Sequence, residues 1–378
     1  MSAARPRLDN MPVRYELATS ADDPELRRLL RESPFAGSIS LSFEREPNYF
    51  LAAAIEGPFH ETLLVRDTNT GQIVGIGDRS VRPLYVNGSP TEVGYFSGLR
   101  VNPDYQHGLA LARFLSKGFE GQRERHKDGR AKFYLISVVS DNNPARRLLD
   151  SHLAHYPRLQ HHTRMSTYAI HPARPKGPPR LPVERGSPDL LPALLDCLAR
   201  NGQRLQFAPC WTKDTLFSEL TPGLRLEDFF LVLDGNRVRG CLALWDQQSC
   251  KQSVIRGYAG SIARFRKLLN LLAPLGGWPI FPDPGTRLNH CFACFLAVDD
   301  DDPDVFAALL RALYNEAARR KYAYFMFGLA QDNPFHKTAK TYLPIPYQSD
   351  IYLAAWPDGY EAVAGVDGRP SGLEITLL

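Results

Sequence analysis

The sequence predicts an α+β fold of two similar domains, each with a mixed, mostly antiparallel sheet flanked by helices. The first observation is a block that occurs twice, as Tyr134-Leu-Ile-Ser-Val-Val-Ser-Asp-Asn-Asn143-Pro144 and as Tyr324-Phe-Met-Phe-Gly-Leu-Ala-Gln-Asp-Asn333-Pro334. The second is that each copy follows a strand ending in valine, Val101 or Val298, and then a helix. A strand–helix–strand–helix unit that recurs indicates two domains of one fold.

The first half alternates short strands and helices. Ser20 and the acidic residues after it predict a capped helix with an apolar stripe at Leu26, Leu29 and Leu30. Gly94 and Gly98 within one strand predict a β-bulge or the close approach of a ligand to the backbone. We predict strands at 13–17, 62–66, 72–86, 92–101, 133–139 and 165–170, and helices at 48–55, at 109–126 and from residue 144.

A proline-rich segment separates the two halves. Its six prolines favour an extended linker. After the linker we predict a helix at 189–200, strands at 229–233 and 238–245, the repeated block and a strand at 348–356. An Asp367-Gly368 turn in the tail predicts one more hairpin. The predicted ranges are 13–171 for the first domain, 172–188 for the linker, 189–356 for the second domain and 357–378 for the tail.

Composition excludes several function classes. Hydrophobic residues make up 44% of the chain and charged residues 23%, and the net charge is +4. This charge is too small to indicate nucleic acid or a membrane as partner. No apolar run reaches the roughly 18 residues of a transmembrane helix, and the first residues do not resemble a secretion signal. We therefore expect a cytoplasmic protein.

The cysteines do not predict a metal site or a disulfide scaffold. All six lie in the second half, at spacings that suit reduced thiols. Cys291-Phe-Ala-Cys294 follows His290, but positions i and i+3 of a strand point to opposite faces. We interpret these cysteines as buried structural residues and predict no metal.

The join between Val101 and the next helix is the main functional signal of the first half. Val101 is followed by Asn-Pro-Asp-Tyr-Gln-His-Gly108-Leu-Ala110. A short loop ending in glycine at a helix start leaves backbone N–H groups free to bind a phosphate. The alternative is an ordinary helix cap.

These elements resemble the GNAT superfamily of N-acetyltransferases over roughly residues 13–170. Val101-Asn-Pro103, Gly108-Leu-Ala110 and Asn142-Asn-Pro-Ala145-Arg-Arg-Leu148 match that family's motifs in order. The resemblance implies two GNAT-like domains and a pyrophosphate cradle for acetyl-CoA at the helix start. It assigns cofactor binding to eight residues: Leu99, Val101, Gln106, His107, Gly108, Leu109, Ala110 and Asn142.

The sequence departs from that family at two places. The loop is about one residue short, with Tyr105 at the expected Arg or Gln position. The tyrosine that protonates the leaving thiolate in many members is Leu149 here. Tyr156 is the nearest replacement, and its alternative role is packing.

An amine acceptor needs a base, because an alkyl ammonium has a pKa near about 10.4. Glu92 begins the glycine-containing strand, where related enzymes often keep a base; its alternative role is a solvated strand end. N-myristoyltransferases and the enhanced-intracellular-survival acetyltransferases, which share a tandem plan, use the C-terminal carboxylate. By this resemblance Leu378 is the third catalytic candidate, and its alternative is a tail that only covers an edge strand.

The second half lacks the phosphate signal. Val298 is followed by four aspartates, 299–302, with no glycine before the helix. Negative charge at this position repels a pyrophosphate. We therefore predict a degenerate second domain that does not bind coenzyme A.

The predicted function is an acyl-CoA-dependent N-acyltransferase that moves an acetyl group from acetyl-CoA to an unidentified amine. A non-catalytic acyl-CoA-binding sensor or scaffold is the alternative. A protein with two degenerate halves, serving only in assembly, is a third possibility. The sequence leaves the oligomeric state open.

Overall fold

The computed structural model describes residues 13–35, 37–105, 108–140, 142, 155–276 and 279–378. The strands within these ranges are β1 (Val13–Leu17), β2 (Ile39–Glu44), β3 (Phe59–Asp67), β4 (Ile73–Val86), β5 (Ser89–Val101), β6 (Tyr134–Val139), β7 (Arg158–Ile170), β8 (Glu184–Arg185), β9 (Phe229–Asp234), β10 (Arg237–Trp245), β11 (Gln252–Tyr258), β12 (His290–Val298), β13 (Tyr324–Ala330) and β14 (Ile345–Ala355). The helices within the same ranges are α1 (Asp23–Glu32), α2 (Tyr49–Ala53), α3 (Gly108–His126), α4 (Leu191–Gly202), α5 (Lys213–Leu216), α6 (Gly260–Gly276), α7 (Pro303–Arg319), α8 (His336–Lys340) and α9 (Tyr360–Ala364). The helix predicted from residue 144 lies outside the described residues.

Twelve of these strands form one continuous sheet that crosses both halves. Its order is β1-β3-β4-β5-β6-β14-β7-β13-β12-β10-β9-β8. The β5–β6 and β12–β13 pairs are parallel, and the other pairs of this sheet are antiparallel. The predicted α+β class with a mixed, mostly antiparallel sheet is therefore confirmed.

The two halves exchange their last strands. β7 of the first half pairs with β13 of the second, and β14 of the second half pairs with β6 of the first. β14 and β7 also pair with each other, so two strands join the halves through backbone hydrogen bonds. The central cavity described below therefore has walls from both halves.

The two faces of the second-half sheet have separate cores. On one face α7 packs Leu309 and Leu313 against the sheet, and on the other α4 contributes Leu194. Cys291 belongs to the first core and Cys294 to the second, as strand geometry predicts. The six cysteines are free thiols, and five of them are buried.

A two-stranded ribbon also joins the halves, and the sequence analysis did not predict it. β2 of the first half pairs antiparallel with β11 of the second, from Ile39–Tyr258 to Glu44–Gln252. α6 follows β11 directly.

No helix in the described residues is long and apolar enough to cross a membrane.

The prediction of a hairpin in the tail is wrong. The tail forms the short helix α9 and two 3-10 turns. Its one strand-like contact is a parallel bridge between Ser371 and Gln206, because Gln206 N–H donates to Pro370 and Gly372 N–H donates to Gln206. The tail packs across the seam between the halves, since Leu373 shares a core with Leu84 and Val93 of the first half and Leu377 shares one with Trp245 and Phe295 of the second.

Candidate active site

A cavity of about 480 Å³ lies where β5 and β6 diverge. These strands are paired only over Gly94–Phe96 and Tyr134–Ile136, although β5 continues to Val101 and β6 to Val139. Side chains from the unpaired parts of both strands line the cavity. A gap between parallel strands leaves backbone groups in need of partners, which an extended ligand can supply.

Gly98 shapes the β5 side of this gap. The pairing of β4 with β5 shifts register between Ile76 and Asp78, and Gly98 has a φ of +62°. A Cβ atom at Gly98 would lie 2.3 Å from Asp78 Oδ2. The predicted bulge is confirmed, and glycine is required there both for the positive φ and for space.

Gly94 is explained differently. A Cβ atom there would lie 2.0 Å from the Tyr134 ring, so this glycine admits a neighbouring side chain. Tyr134 stacks in turn on Phe96, with ring centroids 4.1 Å apart. This packing fixes the last paired residues before the strands separate.

The structure brings some of the predicted cofactor-binding residues to the cavity. Leu99 and Asn142 line it, whereas Val101 does not and is buried behind the wall, in a cluster with Val74 and the lining residue Phe114. α3 begins at Gly108, one residue before its predicted start, and continues through Leu109 and Ala110. Gln106 and His107 lie outside the described residues.

The three predicted catalytic residues lie in different places. Glu92 is exposed, opposite Pro83, and does not line the cavity. Tyr156 is not a lining residue either; its ring lies 4.5 Å from that of Phe119, and burial raises the pKa of its hydroxyl. That hydroxyl has no hydrogen-bond partner among the described residues. Leu378 lines the cavity, so the structure brings one of the three to it.

The tail reaches the cavity through contacts with the second half. Phe295 N–H donates to Glu374 Oε1 at 2.7 Å, and Gln247 Nε2 donates to the carbonyl oxygen of Thr376 at 3.3 Å. Ile375 packs against Gly328 of β13. A Cβ atom at Gly328 would lie 2.1 Å from Ile375 Cγ2, so the glycine makes room for this side chain. These contacts place Ile375, Thr376 and Leu378 in the cavity wall.

Glu374 is a buried carboxyl group. Burial raises its pKa to about 7, although the backbone N–H groups of Phe295 and Leu296 and the charge of Arg82 oppose this shift. Arg82 is itself buried, and this burial lowers its pKa to about 10. Glu374 therefore titrates near neutral pH next to the segment that ends at Leu378.

A buried polar network forms another part of the cavity wall. Arg45 donates to Glu56 Oε1 at 2.6 Å and to Asp78 Oδ2 at 2.9 Å. Ser97 Oγ donates to Glu56 Oε2, and Tyr49 and Thr62 hydroxyls donate to Asp78. Burial favours the neutral form of Asp78, but Arg45 and the other donors keep its pKa below the ordinary value.

Two further cationic side chains, Arg100 and Lys251, line the same cavity. Burial lowers the pKa of Lys251, while Glu56 opposes this shift. Burial and the charge of Arg45 lower the pKa of Arg100 to about 10, and its guanidinium lies 4.3 Å from the centre of the Phe35 ring. No salt bridge joins either cation to a carboxylate within the described part of the chain. The sequence analysis missed these residues because no local motif joins them.

One end of the cavity is apolar. It lies between α3 and the strands β3 and β4, and Leu63, Val65, Phe114, Leu115 and Phe119 line it. Polar and apolar ends in one cavity suit a ligand that carries both kinds of group.

The second half has no open counterpart at its helix start. Asp302 caps α7 by accepting hydrogen bonds from the backbone N–H groups of Asp304 and Val305. Asp299 accepts from Arg200, Asn201 and Arg237. Carboxylates therefore occupy the position at which a phosphate would bind. No group of three or more potential metal ligands occurs within the described ranges.

Solved structures share this architecture at low sequence identity. A GCN5-related N-acetyltransferase from Sphaerobacter thermophilus matches with a TM-score of 0.55 and 11% identity, over 98% of this chain and 100% of that one. An N-myristoyltransferase from Saccharomyces cerevisiae, solved with bound myristoyl-CoA and inhibitors, matches with a TM-score of 0.61 and 12% identity, over 100% and 88%. Another structure of that enzyme, with bound myristoyl-CoA, matches with a TM-score of 0.58 and 13% identity, over 93% of this chain and 87% of that one.

No protein-family model and no curated protein sequence matches the chain. The structural matches nevertheless cover both halves, including the exchanged strands and the divergent pair β5–β6. The chain therefore has the tandem GNAT fold, with one GNAT-like unit in each half.

Proposed function

We propose that the protein is an acyl-CoA-dependent N-acyltransferase that moves an acetyl group from acetyl-CoA to an amine. The observation that carries the proposal is the cavity that runs from the gap between β5 and β6 to Leu378. The gap suits the pantetheine arm, and the polar wall around Arg45 suits a polar acceptor. The structural neighbours, which include an N-acetyltransferase and an N-myristoyltransferase, support acyl transfer.

The donor is proposed to lie along β5. Its pyrophosphate binds at the start of α3, where Gly108, Leu109 and Ala110 present backbone N–H groups. Its pantetheine arm follows β5 past Val101 and Leu99, with Asn142 on the facing side of the gap. Gln106 and His107 remain proposed parts of the cradle. The thioester then lies near the Gly98 bulge.

The reaction requires one proton transfer before bond formation. A base removes a proton from the acceptor ammonium, the amine nitrogen attacks the thioester carbonyl carbon, and the C–S bond breaks as the C–N bond becomes an amide. The coenzyme A thiolate, with an ordinary pKa near about 8.5, leaves without strong acid assistance. We propose the main-chain carboxylate of Leu378 as the base, because Leu378 lines the cavity and Glu92 does not.

The apolar end of the cavity favours a second candidate donor. The side chains of Leu63, Val65 and Phe114 leave an apolar space that an acetyl group does not use. A longer acyl chain would bury its methylene groups there, at about 0.8 kcal/mol for each. Donors from acetyl-CoA to myristoyl-CoA therefore belong in the same assay.

The test combines binding with turnover. Acetyl-CoA at one hundred times its dissociation constant stabilises the protein by about 2.7 kcal/mol, which thermal unfolding detects. Gly108→Glu abolishes this stabilisation, since it adds bulk and negative charge at the phosphate position while suiting a helix start. Gly177→Glu is the matched control, because a Cβ atom at Gly177 meets nothing within 4 Å.

Release of free thiol with a panel of amines then separates an enzyme from a sensor. Turnover with any amine supports the proposal, and binding without turnover favours the non-catalytic module. Binding that survives Gly108→Glu contradicts the proposed donor site. No stabilisation by any acyl-CoA contradicts both functions.

A further inference from the structure

The helix α6 presents large apolar side chains to solvent. Phe265, Leu268, Leu271 and Leu272 are all exposed, and Leu271 retains 73% of its accessible surface. At 3.6 residues per turn these four side chains fall within one arc of the helix. Ile280, just beyond the helix, is exposed as well. A surface helix normally places polar residues on this side.

The opposite side of α6 is already held by the protein. Asn270 Nδ2 donates to the carbonyl oxygen of Phe281, and Phe281 N–H donates back to Asn270 Oδ1 at 2.7 Å. Arg266 forms an ion pair with Asp283 at 2.7 Å, and Ala273 is buried. The exposed apolar arc is therefore the outward face of α6, because the opposite face already packs against the rest of the protein.

The ionisable side chains of α6 itself are all basic. The segment 260–276 contains Arg264, Arg266 and Lys267 and no acidic residue. Arg266 is paired with Asp283, while Lys267 is exposed beside the apolar arc and Arg264 is exposed at its N-terminal end, one turn before Leu268. An apolar helix face with basic flanks is the pattern of helices that lie in the interface of an anionic membrane.

We infer that α6 docks the protein on an anionic lipid membrane. The apolar arc inserts among the acyl chains at the interface, and Arg264 and Lys267 contact lipid phosphates and carboxylates. The low net charge of the whole chain predicted no membrane partner, but this inference rests on one helix. It does not depend on the proposed acyl transfer.

The docking helix is joined in sequence to the wall of the candidate active site. β11, which precedes α6, contributes Gln252 and Ser253 to the cavity wall at its first residues, and its partner β2 contributes Phe43 and Glu44. The ribbon β2–β11 therefore runs from the cavity wall to the start of the docking helix.

The experiment measures co-sedimentation with phosphatidylcholine vesicles, with and without phosphatidylserine. We expect binding to the anionic vesicles at low salt and weaker binding at high salt, because salt screens the basic residues. Leu268→Glu with Leu271→Glu lowers the partition coefficient at least about tenfold, since two apolar anchors become charged. Arg264→Gln with Lys267→Gln removes the preference for phosphatidylserine.

Leu343→Glu is the matched control, because Leu343 is a leucine with 89% exposure outside α6. Each variant is first checked for an unchanged unfolding midpoint. The inference is overturned if the wild-type protein does not bind anionic vesicles, or if the α6 double variant binds as the control does. Sedimentation velocity tests whether this face is instead a contact between two copies of the chain. If the wild-type protein is a dimer and the α6 double variant is a monomer, the face is a dimer contact and the inference is overturned.

Discussion

The two halves contain the same divergent strand pair, but only one of them is open. β5 and β6 share three parallel residue pairs before they separate, and so do β12 and β13, over His290–Phe292 and Tyr324–Met326. Each leading strand then bulges, with a positive φ at Gly98 in β5 and at Phe295 in β12. The first gap is a cavity, whereas the second is filled by the chain itself.

The filling segment is part of the tail. Glu374 accepts a hydrogen bond from Phe295 N–H at the β12 bulge, and Ile375 packs against Gly328 of β13. Diverging strands expose backbone groups that need partners. In the second half a side-chain carboxylate supplies one, and in the first half we propose that coenzyme A does.

The helix starts show the same contrast. α7 is capped by the side chain of Asp302, whereas α3 begins at Gly108, where we propose that the first backbone N–H groups bind the donor phosphates. We therefore propose that the second half, with its filled gap and capped helix, is a structural partner that holds the tail in the wall of the cavity. The predictions below test this division of roles.

The largest expected effect concerns Leu378. Deleting this residue moves the main-chain carboxylate back by about 3.5 Å. We expect turnover to fall about 100-fold or more, the usual contribution of a positioned base, with acetyl-CoA stabilisation retained. Leu378→Ala is the control, because it keeps the carboxylate and removes only the side chain.

Glu92→Gln and Tyr156→Phe test the competing assignments in the same assay. A large loss of turnover in Glu92→Gln, with full activity after deletion of Leu378, would reject the carboxylate as base. A loss in Tyr156→Phe alone would restore the phenol as the acid for the leaving thiolate, despite its packing against Phe119.

Periodicity and turn chemistry in the sequence were enough to predict the class of the fold and most strands of the sheet. The Gly98 bulge was predictable because glycine inside a strand has few other causes. Three features were not predictable, because they depend on contacts distant in sequence: the exchange of β7 and β14, the ribbon β2–β11, and the network of Arg45, Glu56 and Asp78. The tail was predicted as a hairpin, because its turn residues alone do not show that the Glu374 carboxylate accepts a hydrogen bond from Phe295 N–H.

The second prediction concerns the filled gap. The pKa of Glu374 is raised from 4.5 to about 7, so the folded state holds a proton that the unfolded chain releases. Its stability contribution is complete below pH 4.5 and is lost as the pH rises through about 7, a change of about 3 kcal/mol. Glu374→Gln stays neutral, so we expect its unfolding free energy to lack this decline.

Urea unfolding between pH 4.5 and 7.5 measures the difference. Glu361→Gln, an exposed acid on α9 of the same tail, is the control and should follow the wild type. Parallel pH profiles for the wild type and Glu374→Gln would show that the carboxyl group is not desolvated in the second gap.

The smallest expected effect concerns the capped helix. Asp302→Ala removes the acceptor of the Asp304 and Val305 N–H groups and the ion pair with Arg239. We expect a loss of about 1 kcal/mol in unfolding free energy, typical of an N-cap. Asp304→Ala lies in the same helical turn but removes no cap, so it should cost less.

The stabilisation by acetyl-CoA should not change in either variant, because the donor is proposed to bind only in the first half. If Asp302→Ala bound a second equivalent of acetyl-CoA in a calorimetric titration, the aspartate would be blocking a working site, and the second half would be a masked enzyme domain instead of a support for the first.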